Sequence, residues 1–185
     1  MEWKWETQPQ EGMSHMPFLE VAQIEIPDTL RNPSDSDMEL AMPSRGHSLK
    51  RWGRSEETLI DDPHWIGMKR ASPLHYDPKY PRYTHHLMLR VDGQFGLRGY
   101  DKEEVRLSRG TYFVMDGHSP HQLFSEPDGG VWYLAVSIDA DEPREQQATL
   151  EKLFGYAESA PFSTPERHHP FQDSCGCLVC SKPAF

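Results

Sequence analysis

The feature that most constrains the fold of this chain is a series of short β-type runs between Tyr83 and Ala140. Each run is rich in apolar, β-branched or aromatic residues, and turn dipeptides such as Asp92-Gly93 and Asp116-Gly117 stand between the runs. Asp-Gly favours a tight turn because glycine adopts a positive φ without steric cost. Strands of about four to eight residues at this spacing predict an all-β barrel or sandwich.

The flanks of this region are more polar. Only 36% of the 185 residues are hydrophobic, below the roughly 45–50% of an average globular domain, so the apolar residues are concentrated in the centre. Phe18–Ile26 alternates in part and predicts one strand, whereas 28–62 is rich in Asp, Ser and Pro and predicts a surface excursion or partly disordered linker. The predicted organisation is a polar extension partly packed on the barrel (1–62), a β-barrel (63–140), an amphipathic helix (141–158) and an irregular Cys/His tail (159–185).

Charge and cysteine usage limit the partners and the compartment. The net charge of −10 and a pI near 5.4 argue against a nucleic-acid-binding surface, which needs a basic face. No apolar run approaches the roughly 18–20 residues that span a bilayer. The first residues lack the pattern of a signal peptide, and the three cysteines are confined to one short segment. These observations predict a cytoplasmic protein in a reducing setting.

The segment Gly110–His121 resembles the second motif of the cupin superfamily. In that motif a glycine opens a strand, a turn follows, and a histidine lies eleven residues after the glycine, where this chain has His121. Asp116 stands where the family usually has proline. Gly93 lies seventeen residues before Gly110, a spacing also typical of the family. The resemblance implies a small cupin-type double-stranded β-barrel with one C-terminal helix.

Three or four side chains are candidates for a metal site. His75 and Asp77 are two residues apart, so alternation along a strand places them on one face. His86 lies where the cupin resemblance implies a glutamate ligand, and its neighbour His85 has the opposite strand parity. His75, Asp77 and His121, with His86 as a further ligand, would form the two-histidine, one-carboxylate set that binds Fe(II) or another divalent metal and leaves positions open for substrate and oxygen.

The His75-x-Asp77 pair followed by a distal histidine also resembles the Fe(II)/2-oxoglutarate dioxygenases. This resemblance implies a non-haem Fe(II) oxygenase that acts on a small molecule, with 2-oxoglutarate as a cosubstrate. The arginine that those enzymes often place beyond the distal histidine is missing here. Arg90 and Arg98 are the nearby cations that could hold a carboxylate instead.

A second resemblance predicts a different function. The stretch from His86 to Ile138 is similar to the sugar-sensing domain of arabinose-type transcription regulators, with Trp132-Tyr133 opening the last strand. It implies a non-enzymatic ligand-binding barrel that acts through a partner. The helix-turn-helix domain that usually follows is not found in the remaining residues. Such barrels often dimerise through their edge strands, so a homodimer is a further expectation.

The C-terminal tail contains a separate group of soft ligands. Cys175, Cys177 and Cys180 lie close to His168-His169, and three thiolates with one imidazole could bind zinc and order the tail. The spacing differs from the paired Cys-x-x-Cys of common zinc ribbons, so a flexible tail with reactive thiols is the alternative.

Overall fold

The structure is a computed structural model that describes residues 17–28, 30, 34, 48–52, 63–69, 74–75, 81–99, 104–125, 130–138 and 142–159. Within these ranges it has the following strands and helix: β1 (Phe18–Gln23), β2 (Ser48–Trp52), β3 (His64–Lys69), β4 (Tyr83–Asp92), β5 (Phe95–Gly99), β6 (Glu104–Leu107), β7 (Thr111–Asp116), β8 (His121–Ser125), β9 (Gly130–Ile138) and α1 (Gln146–Ser159).

The strands form two antiparallel sheets. The larger sheet has the order β1-β7-β4-β9-β3-β2, and the smaller has the order β6-β5-β8. A tight turn at Gly93, with φ of 75°, carries the chain from β4 in one sheet to β5 in the other. The prediction of a mainly β fold is confirmed for the described residues, which include one helix. Closure of the strands into one barrel stays a prediction, because the described strands pair as two separate sheets.

Alternation along β4 and β7 divides the core into two layers. The interior cluster packs between the two sheets, and the helix-side cluster packs between the larger sheet and α1. The interior cluster comprises Phe18, Met88, Phe95, Leu97, Leu107 and Phe113. The helix-side cluster comprises Tyr83, Leu87, Leu89, Tyr112, Val114 and Leu153. The central sheet residues are thus buried on both faces, which accounts for the nearly continuous apolar runs of this region.

Gly110 fixes the edge strand β1 against the start of β7. Its φ is +85°, and a Cβ atom at this position would lie 2.3 Å from the carbonyl oxygen of Ile24. The amide of Ile24 donates a 2.8 Å hydrogen bond to the Gly110 carbonyl. Only glycine allows both this conformation and this approach, so the glycine of the motif has a packing reason.

Two segments differ from the sequence-based expectation. Ser48–Trp52 lies inside 28–62, which was predicted to be irregular, yet it pairs with β3 along its whole length. A short strand with two basic residues is typical of a sheet edge and carries little hydrophobic signal. The helix begins at Gln146, within the predicted 141–158, and ends at Ser159. No helix among the described residues is long and apolar enough to cross a membrane.

Candidate functional site

The turn between β7 and β8 presents His121 to the space between the sheets. His121 lies opposite Gly99 in the register of β8 and β5, and Leu97, two residues before Gly99, belongs to the interior cluster. Facing residues in an antiparallel pair point to the same side of the sheet. His121 therefore faces the interior, where it is only 4% exposed.

His75 joins this sheet through a single bridge to His121. The His75 amide donates to the His121 carbonyl at 2.9 Å, and the His121 amide donates to the His75 carbonyl at 2.8 Å. The two imidazole rings lie side by side, with centroids 4.6 Å apart and planes inclined by 57°. The structure thus brings together two of the predicted ligands on one face.

The hydrogen bond of His121 settles which tautomer its neutral ring adopts. Nδ1 lies 2.8 Å from the carbonyl oxygen of Ser119. Because a carbonyl oxygen can only accept, Nδ1 carries the proton, and the lone pair of the neutral ring is on Nε2. A metal-binding imidazole typically donates its other N–H in this way.

His86 faces the same interior from the larger sheet. Its ring stacks on Phe113, with centroids 4.6 Å apart and planes within 5°, and the residue is 6% exposed. His86 lies six residues before the end of β4, and His121 pairs with the last residue of β5. Both histidines are therefore at the end of the sheets away from the Gly93 turn.

The neighbouring His85 faces α1, and its role was not predicted from the sequence. Its Nδ1 lies 2.6 Å from the hydroxyl of Tyr112, and both residues are fully buried. Tyr112 also hydrogen-bonds Thr149 of α1, whose hydroxyl donates to the Glu145 carbonyl at 3.1 Å. Only the parity of two adjacent histidines hinted at this second polar group.

Burial controls the ionisation of this group. Desolvation, with a smaller contribution from the positive charge of Arg144, lowers the pKa of His85 from 6.5 to about 4. Desolvation, followed by the negative charge of Glu20, raises the pKa of Tyr112. Both side chains are therefore neutral at pH 7, and the group acts as a hydrogen-bonded link between sheet and helix.

The two arginines proposed to hold a carboxylate lie on strand faces away from the interior cluster. Arg90 alternates with the inward-facing Val91 and makes a bidentate ion pair with Asp92, both contacts at 2.9 Å. Arg98 alternates with the inward-facing Leu97. It pairs with Glu104 and lies 5.0 Å from the ring centroid of Phe124. Their contact with a substrate stays a prediction.

The remaining predicted ligands lie outside the described residues. These are Asp77 and the tail residues Cys175, Cys177 and Cys180. Among the described residues, no group of three or more His, Cys, Asp or Glu side chains is arranged to hold a metal ion. His75 and His121 are thus a two-imidazole pair, and the third ligand and the zinc site of the tail stay predictions.

Comparison with known proteins identifies likenesses in structure. No family model and no curated protein matches the chain. A cupin-like protein from Thermotoga maritima is similar over 52% of this chain and 72% of its own, at 14% identity and a TM-score of 0.39. An RmlC-like cupin from Desulfovibrio desulfuricans is similar over 49% and 81%, at 15% identity and a TM-score of 0.36. A DMSP lyase from Ruegeria pomeroyi is similar over 52% and 49%, at 14% identity and a TM-score of 0.37. Two of these three solved structures are described as cupin or cupin-like proteins.

Proposed function

We propose that this chain binds a divalent metal between its two sheets through His75 and His121, and that it acts as a non-haem Fe(II) oxygenase on a small molecule. The observation that supports the proposal is the juxtaposition of the two imidazoles, 4.6 Å apart on reciprocally paired backbone. Little backbone entropy remains to be lost on metal binding, because the peptide groups that carry both rings are already paired.

The donor chemistry of the pair suits this group of metals. Imidazole nitrogen is a good ligand for Fe, Zn, Cu and Ni, and two imidazoles with one carboxylate form the facial set of non-haem Fe(II) oxygenases. In the proposal, Asp77 supplies the carboxylate, since it is two residues from His75. The bound metal would supply adjacent positions for substrate and oxygen.

The protein's own contribution is to orient the ligands and to exclude water. The Nδ1–H bond to Ser119 leaves the His121 lone pair on Nε2, the atom that would bind the metal. Met88, Phe113 and the rest of the interior cluster line the space between the sheets with apolar surface. In the proposal, His86, which stacks on Phe113, joins the ligand set when the metal binds or forms a hydrogen bond with the substrate.

Metal analysis of untagged protein tests the proposal. Mass spectrometry of the native protein, reconstituted anaerobically with Fe(II) and then desalted, should find close to one metal per chain bound outside the tail. The His121→Ala variant should lose this metal. His118→Ala is the matched control, because His118 lies in the same turn and its backbone amide contact to Asp116 survives the change. Equal metal content in His121→Ala and the native protein would defeat the proposal.

The ion pairs of the two arginines favour a second candidate, a non-enzymatic ligand-binding barrel similar to regulator sensor domains. Arg90 and Arg98 each form an ion pair with a carboxylate on an outer strand face. They can bind the carboxylate of 2-oxoglutarate only if these ion pairs break. A thermal-shift comparison separates the candidates. Stabilisation by Fe(II) or Mn(II) together with 2-oxoglutarate favours the oxygenase, whereas stabilisation by a sugar alone favours the sensor.

A further inference from the structure

Asp116 is a buried carboxylate in the turn that carries His121. It is 2% exposed, and it receives the guanidinium of Arg82 through Nε at 3.2 Å and Nη2 at 3.1 Å. Its other oxygen accepts the amide of His118 at 3.1 Å. A buried charge is costly unless it is paired and hydrogen-bonded. The turn does not need a charged residue in order to form. The ion pair of Asp116 with Arg82 therefore indicates a role beyond forming the turn.

Hydrogen bonds lead from this ion pair to the imidazole of His121. The Ser119 amide donates to the Asp116 carbonyl at 3.0 Å, and the Ser119 carbonyl accepts from Nδ1 of His121 at 2.8 Å. Arg82 secures the turn a second time, because its own carbonyl accepts the Gly117 amide at 2.7 Å. The orientation of the Ser119 carbonyl therefore depends on a turn held at both ends.

We infer that Arg82 and Asp116 are a positioning pair that fixes the Nδ1–H tautomer and the direction of His121. The inference rests on the proposed function, in which Nε2 of His121 binds the metal. Arg82 and Asp116 act through the Ser119 carbonyl and do not touch the metal. When the pair is broken, the Ser119 carbonyl loses its fixed direction, and the imidazole is free to exchange its proton between Nδ1 and Nε2.

Nitrogen-15 NMR of the histidine side chains tests this inference on the metal-free full chain at about pH 8.5, where an ordinary imidazole is neutral. We expect one Nδ1–H tautomer for His121 in the native protein and a tautomer mixture in Asp116→Ala. Asp116→Asn should recover part of the native signal, because its side-chain oxygen still accepts the His118 amide. Asp92→Ala, which breaks the Arg90 ion pair, is the matched control and should leave His121 unchanged.

Two outcomes would overturn the inference: an Nε2–H tautomer in the native protein, or an unchanged tautomer in Asp116→Ala. If Asp116→Ala does not fold, the nitrogen-15 spectrum of Arg82→Gln is the deciding measurement. The Arg82 side chain is 43% exposed, so this substitution leaves no buried cavity. Mn(II) titration is a second measurement, and we expect the variant that lacks the ion pair to bind Mn(II) about tenfold more weakly than the native protein. If no form of the protein binds Mn(II), the proposed function fails, and the tautomer comparison still decides the positioning role.

Discussion

The ring centroids of His75 and His121 are 4.6 Å apart, and two backbone hydrogen bonds join the same two residues. The strand bridge thus sets the spacing of the side chains before any ligand arrives. A site built on paired backbone is more precise than one that depends on long, flexible side chains.

Removal of one imidazole from the pair should weaken metal binding far more than removal of a nearby histidine outside it. We expect His75→Ala to raise the dissociation constant for Mn(II) at least about 100-fold, more than the 10–100-fold typical of residues that only support a ligand. His118→Ala should change it less than about threefold. Calorimetric titration measures both variants. Similar dissociation constants for the two would contradict the assignment of His75.

Tyr112→Phe should destabilise the fold because it removes the hydroxyl that bonds His85 at 2.6 Å inside the helix-side layer. A buried polar atom that loses its partner costs about 1–3 kcal/mol. Urea denaturation measures the change in the free energy of unfolding. The double variant with His85→Leu serves as the control, since two apolar residues leave no unsatisfied atom, and its cost should fall below the sum of the single changes. Strict additivity would show that the bond does not couple the two residues.

The depressed pKa of His85 predicts a pH-dependent stability. Its folded pKa of about 4 lies below the value of 6.5 in the unfolded chain, so the unfolded state binds the proton more readily. The contribution of the neutral ring is therefore complete above pH 6.5 and is lost as the pH falls towards 4. Over this window the free energy of unfolding should drop by about 2–3 kcal/mol.

His85→Asn isolates this effect from the titration of carboxylates. Asparagine does not titrate and can offer a hydrogen-bonding atom to Tyr112 near the position of Nδ1. We expect urea denaturation at pH 7 and pH 4.5 to give a smaller loss of stability for the variant than for the native protein. Equal losses in both would show that His85 does not carry the effect.

Alanine substitutions at two glycines should change the stability of the fold in opposite directions. Gly110→Ala forces a positive φ on alanine and places its Cβ against the Ile24 carbonyl, so we expect a loss of more than about 2 kcal/mol. At Gly155 in α1, a Cβ meets nothing within 4 Å, and alanine should stabilise the helix by about 0.5–1 kcal/mol. Denaturant midpoints measure both changes. A neutral Gly110→Ala would contradict the close approach of β1.

Some of this structure could be predicted from residues that act locally. The Gly93 turn, the strand that begins at Phe18 and the helix near Gln146 follow from turn chemistry and periodicity. The face of β4 that meets the smaller sheet could not be predicted, because Leu87 and Met88 belong to different apolar layers and both sets look like a core. His85 and His86 could therefore not be told apart by pattern alone.

Ion pairs between residues on different strands could not be predicted from the sequence either. The ion pair of Arg98 with Glu104 joins two strands, and nothing in the local pattern distinguishes it from an arginine that awaits a substrate. Arg82 and Asp116 are 34 residues apart and meet only because β4 pairs with β7. Such pairs become visible only when the strand register is known.

Anomalous diffraction from crystals soaked with Mn(II) is the most direct test of the metal site between the sheets. We expect one strong peak inside the fold, about 2.2 Å from a ring nitrogen of His75 and from Nε2 of His121. A map with no peak between these two rings, at a metal concentration that saturates the protein in solution, would contradict it.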